Sequence, residues 1–231
     1  MTGDLSQLAV EASGLGRRFG RAWALAHVDL AVPFGTSVWL RGANGAGKTT
    51  LLRMLASLST PSRGRLSIAG LDAYREREAI RRQVALVSHA LYLYPGLTAR
   101  ETLTLWLRLG SGVPDNSAID ELLADVGLTY AADRRVGGFS AGMRKRLALA
   151  RAQVEAPRLL LLDEPFSSLD TAGCELVETW VRSFVAGGGT VILASHDHDR
   201  SLPLCETVVD LRDGQIVASG PGGESRAGEL G

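Results

Sequence analysis

A glycine-rich stretch at residues 42–50, GANGAGKTT, has the pattern G-x-x-x-x-G-K-[ST] of a phosphate-binding loop. It lies between a strand-like run, SVWLR, and a helix-like run, LLRMLA. Glycines let backbone N–H groups surround phosphate oxygens, a lysine reaches the terminal phosphates, and a threonine hydroxyl can bind Mg²⁺. An ordinary glycine-rich turn is the alternative, but the chain has only two lysines, so we discount a chance match to the whole pattern. The predicted nucleotide-binding residues here are Gly42, Ala43, Asn44, Gly45, Ala46, Gly47, Lys48, Thr49 and Thr50.

Two adjacent acidic residues, Asp163 and Glu164, directly follow the apolar run RLLLL. Parallel α/β sheets bind ligands at the carboxyl edge of their strands, so this pair is expected beside the phosphate-binding loop. There, Asp163 can hold Mg²⁺ or its water shell, and Glu164 can accept a proton from an attacking water. A polar start to a loop is the alternative. In combination with the phosphate-binding loop, we favour the catalytic interpretation.

A histidine follows another uninterrupted apolar run, TVILAS. This residue, His196, is a candidate hydrogen-bonding partner for a γ-phosphate. Its neighbours spell HDHD, which is compatible with a metal site, but histidines two residues apart on a strand point to opposite faces. We therefore favour the phosphate contact over metal binding.

The overall composition excludes several classes of protein. The 231 residues include 25 basic and 25 acidic side chains, which argues against nonspecific nucleic-acid binding or charge-driven adhesion to anionic membranes. Cys174 and Cys205 have neither metal-ligand nor redox-motif spacing, and the first residues lack the pattern of a signal peptide. No apolar run approaches the roughly 18 residues that span a bilayer. We expect a cytosolic protein that reaches a membrane only through a protein partner.

Apolar patterns predict the strands that must hold these residues. In the first third, LAVEA, LAHVDLAV, SVWLRG and RLSIAG alternate with turns, which indicates a mixed sheet. The runs RLLLLD and TVILASH lack polar alternation and predict parallel strands covered on both faces. Asp213-Gly214, between two alternating runs, predicts a β-hairpin.

The middle of the chain is predicted to be helical. TARE at 98–101 fits a capping box, which satisfies the first free backbone donors of a helix. A second helix has apolar residues at i, i+3, i+4 and i+7 from Ile119 and ends at Gly127. A third begins at Gly142, and we interpret its basic run, 144–146, as a solvated face rather than a partner site.

The motifs together resemble those of an ATP-binding cassette (ABC) ATPase domain over nearly the whole chain. The phosphate-binding loop, FSAGM at 139–143, LLLLDEP at 159–165, SSLD at 167–170 and ASH at 194–196 have that family's order and spacing. FSAGM resembles the signature loop, which separates this family from P-loop kinases, GTPases and helicases. The resemblance implies an α/β P-loop NTPase core with a mixed/parallel sheet, an N-terminal antiparallel β subdomain and an inserted α-helical subdomain. It implies one domain over 1–220, with the helical part over about 90–155 and a flexible tail over 221–231.

The resemblance also implies ATP and Mg²⁺ as cofactors, with Thr49 and Asp163 at the metal. Two such subunits would sandwich two ATP molecules, as a homodimer or pseudo-dimer. By this analogy Ser140, Ala141 and Gly142 form the signature, in which Ser140 and the Gly142 backbone contact the partner's γ-phosphate. Phe19 matches the aromatic residue that stacks on adenine, with a core aromatic as the alternative. Asp170 matches the acid that communicates across the dimer.

Two features depart from the family pattern. Ala141 and Met143 replace the usual second glycine and final glutamine of the signature, so one polar contact is lost. His89 stands where the family usually has a glutamine that contacts Mg²⁺ or its water and reports the nucleotide state to the membrane partner. This moves His89 from a residue that merely ends a strand to a candidate functional residue. SHALYLYPGLTARETL and FSAGMRKRLALARA resemble the ATP-binding subunits of bacterial cytochrome c maturation, the so-called haem exporter.

We therefore expect an ATP-hydrolysing subunit of the haem exporter type, on the cytoplasmic face of a membrane and bound to integral membrane transporter subunits. Lys48, Mg²⁺ and His196 would stabilise charge while Glu164 orients water. The alternatives are another exporter, for drugs or lipids, a soluble cassette ATPase acting on DNA or ribosomes, and a binding-only regulatory cassette. The last is disfavoured because Glu164 and His196 are both present, and no nucleic-acid partner is expected.

Overall fold

The computed structural model describes residues 8–88, 91–110 and 115–222. The described strands are β1 Leu8–Phe19, β2 Ala22–Pro33, β3 Ser37–Arg41, β4 Arg63–Ile68, β5 Leu71–Asp72, β6 Val84–Val87, β7 Leu159–Asp163, β8 Thr190–Ala194, β9 Thr207–Arg212 and β10 Gln215–Pro221. The described α-helices are α1 Lys48–Leu55, α2 Arg77–Arg81, α3 Ala99–Gly110, α4 Asn116–Asp125, α5 Ala141–Val154, α6 Thr171–Ala186 and α7 His198–Ser201. His89 and most of the predicted tail, 223–231, lie outside the described residues.

The strands form a mixed sheet in the order β5-β4-β1-β2-β10-β9-β3-β8-β7-β6. Strands β9, β3, β8, β7 and β6 pair in parallel, whereas β5, β4, β1 and β2 pair antiparallel. Every residue of β6, β7 and β8 is buried, as expected for parallel strands with both faces covered. The predicted α/β fold, with an antiparallel part at the start of the chain, is confirmed.

Alternate residues of the same strand enter two separate hydrophobic cores. Leu160 and Leu162 of β7 face a core shared with α3, α4, α5 and α6. Leu159 and Leu161 face the other core, which contains α1 and the antiparallel strands. The side chains of a strand point alternately to its two faces, so β7 is fixed from both sides and the residue at its end is held firmly.

Three local predictions are confirmed by the backbone and its hydrogen bonds. The Thr98 N–H donates to Oε2 of Glu101 at 2.8 Å, and the Glu101 N–H donates to Oγ1 of Thr98 at 3.1 Å, which is a complete capping box before α3. Gly127 has φ of +65°, a left-handed end to the region of α4. Asp213 and Gly214 both have positive φ between β9 and β10, as a tight hairpin turn requires.

The interpretation of residues 144–146 as a solvated face is wrong. Lys145 is only 4% exposed, and its Nζ donates to the backbone carbonyl of Glu164 at 2.9 Å. Arg144 donates to the carbonyl of Phe139, and Arg146 pairs with Asp170 at 2.5 Å. The segment that follows β7 packs against α5 and supplies the acceptors for Lys145 and Arg146, which the spacing along the helix does not reveal.

The reason given against an HDHD metal site is also wrong, because these residues are not on a strand. β8 ends at Ala194, and α7 begins at His198. The ring of His198 instead packs edge-on against Trp39, with the ring centroids 5.1 Å apart. The chain changes from strand to helix between these histidines, so the rings of His196 and His198 lie in different environments.

Two further observations concern the whole described chain. Cys174 and Cys205 are free and buried, and burial raises the pKa of Cys205 to about 12. None of the described helices has the length and apolar character to cross a lipid bilayer. The sequence-based domain limits, 1–220 with a helical part over about 90–155, stay a prediction, although α3, α4 and α5 fall within that helical range.

Candidate nucleotide-binding site

Three neighbouring parallel strands deliver the predicted catalytic residues to one edge of the sheet. In the order β3-β8-β7, their carboxyl ends lead into the phosphate-binding loop, His196 and Asp163 respectively. This edge contains a cavity of about 240 Å³, which is lined by the loop, by Asp163 and by Glu164. The sequence separations exceed 100 residues between the loop and the other two segments, so the parallel pairing is what creates the site.

The phosphate-binding loop needs glycine at two positions for steric reasons. Gly42 has φ of +158°, and a Cβ there would collide with the carbonyl oxygen of Leu211. Gly47 has φ of +107°, and a Cβ there would lie 2.6 Å from the carbonyl oxygen of Ala24. Side chains at either position are excluded by packing as well as by backbone conformation. The loop therefore keeps its backbone close to the cavity and passes directly into α1, whose N-terminal N–H groups favour an anion.

The Lys48 side chain crosses the loop and is almost entirely buried. Its Nζ donates to the carbonyl oxygens of Gly42 at 2.6 Å and Ala43 at 3.2 Å, and lies 3.3 Å from Nε2 of His196. Burial lowers the pKa of Lys48, and the negative charges of Glu164 and Asp163 oppose that shift. The amine is thus held at the centre of the site, where it can reach terminal phosphates.

The two residues predicted at the metal contact each other. The Thr49 hydroxyl donates to Oδ2 of Asp163 at 2.8 Å, and Asp163 is only 2% exposed. A hydroxyl and a carboxylate at this spacing offer the oxygen ligands that Mg²⁺ prefers. The donor set fits this cation, with further ligands expected from nucleotide phosphates and water.

The Glu164 carboxylate faces His196 in the same region. Its Oε1 lies 3.3 Å from Nε2 of His196, and its Oε2 accepts from the His196 N–H at 3.4 Å. The His196 ring also lies 2.7 Å from Oδ1 of Asn44. Glu164 has φ of +51°, so a non-glycine residue occupies the left-handed region at the position where a catalytic base is predicted. The structure therefore brings together Lys48, Thr49, Asp163, Glu164 and His196.

The predicted signature residues do not line this cavity. Ser140 is the N-cap of α5, and its Oγ accepts from the Met143 N–H at 3.2 Å. Ala141 lines a different cavity of about 180 Å³, while Gly142 packs close to the carbonyl oxygen of Ser168. The predicted signature residues therefore lie outside the cavity formed by the chain's own phosphate-binding loop.

Asp170 similarly begins a helix, α6. Its Oδ1 accepts from the Gly173 N–H at 2.9 Å and from Nη2 of Arg146 at 2.5 Å. The Gly173 N–H, followed by Arg146, lowers the pKa of Asp170. This carboxylate is tied to α5 and α6 and does not line the phosphate cavity.

Phe19, the predicted adenine-stacking residue, lies at the end of β1 and is 54% exposed, which excludes the alternative of a core aromatic. The guanidinium of Arg17 lies 4.7 Å from the centre of its ring and covers one face. The opposite face is the one on which a base could stack. His89, the remaining predicted residue, lies outside the described part of the chain.

Sequence reasoning missed Lys145, the buried amine that contacts Glu164. A signal was available in the composition. The chain has 25 basic residues and only two lysines, Lys48 and Lys145, so arginine is otherwise used throughout. Both lysines are buried, and Asp163 and Glu164 raise the pKa of each against the lowering effect of burial. The rare residue type thus marks two positions near the same pair of carboxylates.

Most of the chain is similar to known ATP-binding proteins of ABC transporters. Residues 25–167 match the family described as "ABC transporter". A daunorubicin resistance ATP-binding protein of Streptomyces coeruleorubidus is 38% identical over 91% of this chain and 66% of that protein. The ABC transporter ATP-binding protein NatA of Bacillus subtilis is 34% identical over 85% and 81%. The bacitracin transport ATP-binding protein BcrA of Bacillus licheniformis is 32% identical over 92% and 69%. The chain spans about two thirds of the length of the first of these relatives.

Solved structures share the fold. The ATP-binding cassette MJ0796, solved as a dimer in a post-hydrolysis state bound to ADP and Pi, has a TM-score of 0.85 and 26% identity, covering 92% of this chain and 98% of that one. A structure described as the ATP binding subunit of an ABC transporter also has a TM-score of 0.85, with 28% identity over 92% and 90%. The match extends over both the antiparallel and the helical parts.

Proposed function

The chain belongs to the ABC transporter family and is an ABC-type ATPase, and from this premise we propose that it drives an exporter of drug or antibiotic molecules. Relatives named for daunorubicin resistance and bacitracin transport support that cargo class. The haem exporter type expected from the sequence is not supported by these names. They favour the alternative, another exporter, over cytochrome c maturation.

The observation that carries the proposed chemistry is the meeting of the loop, Asp163, Glu164 and His196 at one sheet edge. In the proposed reaction, water attacks the γ-phosphorus of ATP in line with the leaving ADP oxygen. Thr49 and Asp163 would hold Mg²⁺, which would supply positive charge that stabilises the transferred phosphoryl group. Lys48 provides a second, fixed positive charge at the loop.

Glu164 and His196 have distinct parts in this reaction. The Glu164 carboxylate orients the attacking water and takes its proton, which increases the water's nucleophilicity. The His196 ring donates a hydrogen bond from Nε2 toward the γ-phosphate, whose oxygen takes the place of the Asn44 Oδ1 that lies 2.7 Å from this nitrogen in the structure. The Glu164–His196 contact at 3.3 Å keeps the two groups on the same side of the cavity.

A second copy of the subunit is proposed to complete each site. Ser140 and Gly142 begin α5 outside the chain's own phosphate cavity, so they are available to a nucleotide held by another subunit. The N-terminus of α5 then faces a phosphate, as helix N-termini favour. The related cassette MJ0796 was solved as a dimer, which supports this arrangement.

The membrane subunits are proposed to dock on a groove beside the helical region, which would place the chain on the cytoplasmic face of the membrane. This groove encloses about 840 Å³, and its lining includes Tyr92, Tyr94, Trp106 and Leu109. Tyr92 and Tyr94 are about half exposed. Arginines 81, 82 and 151 also line it, against the single acidic residue Glu155. An apolar segment with an acidic side chain would complement this surface.

Affinity purification from the native membrane tests the proposed function. We expect integral membrane subunits to copurify, no bound haem pigment, and ATPase activity that increases when a drug-like cargo is added. Tyr94→Ala should weaken this copurification, whereas Tyr130→Ala, an exposed tyrosine outside the groove, should not. Bound haem would favour the cytochrome c maturation type. Recovery with ribosomes or DNA instead of membrane subunits would overturn the proposal.

A further inference from the structure

Lys145 is a buried cation that the reaction described above does not use. It lies in the second turn of α5 and is 4% exposed. Its Nζ donates to the backbone carbonyl oxygen of Glu164 at 2.9 Å. Burial lowers the pKa of Lys145, while Asp163 and Glu164 raise it, so the nearby compensating charges belong to the catalytic pair.

The backbone of Glu164 is held from three directions. Its N–H donates to the carbonyl oxygen of Ala194 at the end of β8, at 2.8 Å. Its carbonyl oxygen accepts from Lys145 and also from the Ser167 hydroxyl at 2.8 Å. These bonds fix a residue whose φ is +51°, a conformation that costs energy for any residue with a Cβ. The direction of the Glu164 side chain follows from this backbone conformation.

We propose that Lys145 is a positioning residue for Glu164, and this inference rests on the proposed role of Glu164 as the base. The Lys145 ammonium holds the left-handed peptide unit and thereby directs the Glu164 carboxylate toward His196 and the attacking water. A charge-assisted bond to a carbonyl is stronger than a neutral one. Small displacements of a catalytic group reduce turnover more than they reduce substrate binding.

Packing alone does not account for an amine at this position. A methionine has similar length and would fill the same space without the cost of burying an ammonium group. At 4% exposure the Lys145 amine has almost no stabilising hydration. It donates to the backbone carbonyl of Glu164 rather than to the carboxylate of an ion pair. Its contribution therefore lies in the peptide unit that it holds.

Steady-state kinetics of Lys145→Met and Lys145→Gln, in the full chain recovered with its membrane partners, test this role. Loss of the bond in Lys145→Met should lower kcat by about tenfold and change KM for ATP by less than about twofold. Lys145→Gln keeps a donor and should restore part of kcat. Arg158→Met removes a cation at the opposite end of β7 and should leave kcat at the wild-type value.

Single-turnover rates in the Glu164→Gln background separate positioning from general packing. If Lys145 acts through Glu164, adding Lys145→Met to Glu164→Gln should slow the residual reaction by less than about twofold, because the effects of coupled residues do not add. A kcat of wild-type size in Lys145→Met, or a full tenfold further loss in the double variant, would overturn the inference. Thermal unfolding of each variant with ATP measures stability separately, and a lower melting temperature with unchanged kcat per folded protein also overturns it.

The same experiment distinguishes failure of this inference from failure of the proposed function. If the wild type does not hydrolyse ATP, or if Glu164→Gln hydrolyses it at the full rate, the proposed function is wrong. If Glu164→Gln is inactive and Lys145→Met is fully active, only the positioning role is wrong. Lys145→Gln decides the matter where Lys145→Met does not fold.

Discussion

The sheet edge at β3, β7 and β8 and the N-termini of α5 and α6 treat their polar side chains differently. At the sheet edge, functional groups from distant segments contact one another, as in the 2.8 Å bond between Thr49 and Asp163. At the helix starts, Ser140 and Asp170 each accept from a backbone N–H three residues later, and the one distant contact of the two, from Arg146 to Asp170, ties the helices together rather than lining a cavity. The fold of a single chain assembles the sheet edge around a cavity. The two helix starts lie outside that cavity.

The difference has a physical origin in the two kinds of element. Parallel strands bring their carboxyl ends to one edge, so residues more than 100 positions apart meet there. A helix N-terminus instead satisfies some donors with its own cap and directs the rest outward. In the proposed arrangement, the chain brings its own catalytic residues together but needs a second subunit to use its signature. Lys145 joins the two regions, because it lies on the signature helix and contacts Glu164.

Glu164→Gln should give the largest effect and tests the sheet edge as a self-contained site. We expect hydrolysis to fall by about 100-fold to 1,000-fold, since the variant cannot take the proton from water. ATP binding should persist, because the loop and Lys48 are unchanged. Steady-state ATPase assays and nucleotide binding by fluorescence measure the two effects. Glu178→Gln, which removes an α6 carboxylate that pairs with Arg200, is the control and should stay near wild type.

Ser140→Arg tests the proposed dependence on a second copy. Hydrolysis should fall by about 100-fold, as for loss of a group that stabilises transition-state charge, while ATP binding to the monomer remains. Ser117→Arg, on the exposed start of α4, is the matched control. Mixing Ser140→Arg with Lys48→Ala subunits should leave at most one intact composite site per dimer. Full activity of Ser140→Arg at all protein concentrations would break the comparison between the two regions.

His89 variants should have a smaller effect, and this prediction rests on sequence alone. Mg²⁺ prefers oxygen ligands, so an imidazole is a poor direct replacement for a glutamine carbonyl. A hydrogen bond to metal-bound water or to the γ-phosphate region is the expected role. His89→Gln should therefore keep most of the ATPase rate, and His89→Ala should lose about threefold to tenfold or lose stimulation by the membrane subunits. Equal coupling in both variants, measured with and without the partner, would contradict this role.

Thr98→Ala should affect stability rather than chemistry, because it removes the hydroxyl that caps the start of α3. Loss of the capping-box hydroxyl should cost about 1 kcal/mol of unfolding free energy. Urea denaturation measures that change, and kcat per folded protein should stay constant. Thr104→Ala, on the same helix but with its hydroxyl bonded to the Arg100 carbonyl, should cost less. A smaller cost for Thr98→Ala than for Thr104→Ala would show that the cap contributes little.

Sequence predicted those parts of the molecule that depend on local pattern and strand order. The capping box, the Asp213-Gly214 hairpin and the buried strand before Asp163 all follow from short stretches, and the structure confirms them. The position of Glu164 beside the phosphate-binding loop also followed, because parallel strands share one ligand-binding edge.

The contacts of α5 could not be predicted in the same way. Helical spacing identifies a face, but it does not identify the loop that packs on that face. The acceptor for Lys145 lies 19 residues later in the chain and is a backbone carbonyl, which every residue possesses. Nor could residue spacing alone assign the signature, whose interpretation came from resemblance to a family.

The left-handed backbone of Glu164 sets stability and turnover against each other at one position. A residue with a Cβ in this conformation costs about 1 kcal/mol relative to ordinary backbone. Asparagine tolerates the conformation more readily, so a laboratory selection for heat resistance alone would favour Glu164→Asn and discard the proposed base. Only a screen that also rewards ATP turnover would keep the glutamate, and variants of this cassette with unusually high melting temperatures should be sequenced first at codon 164.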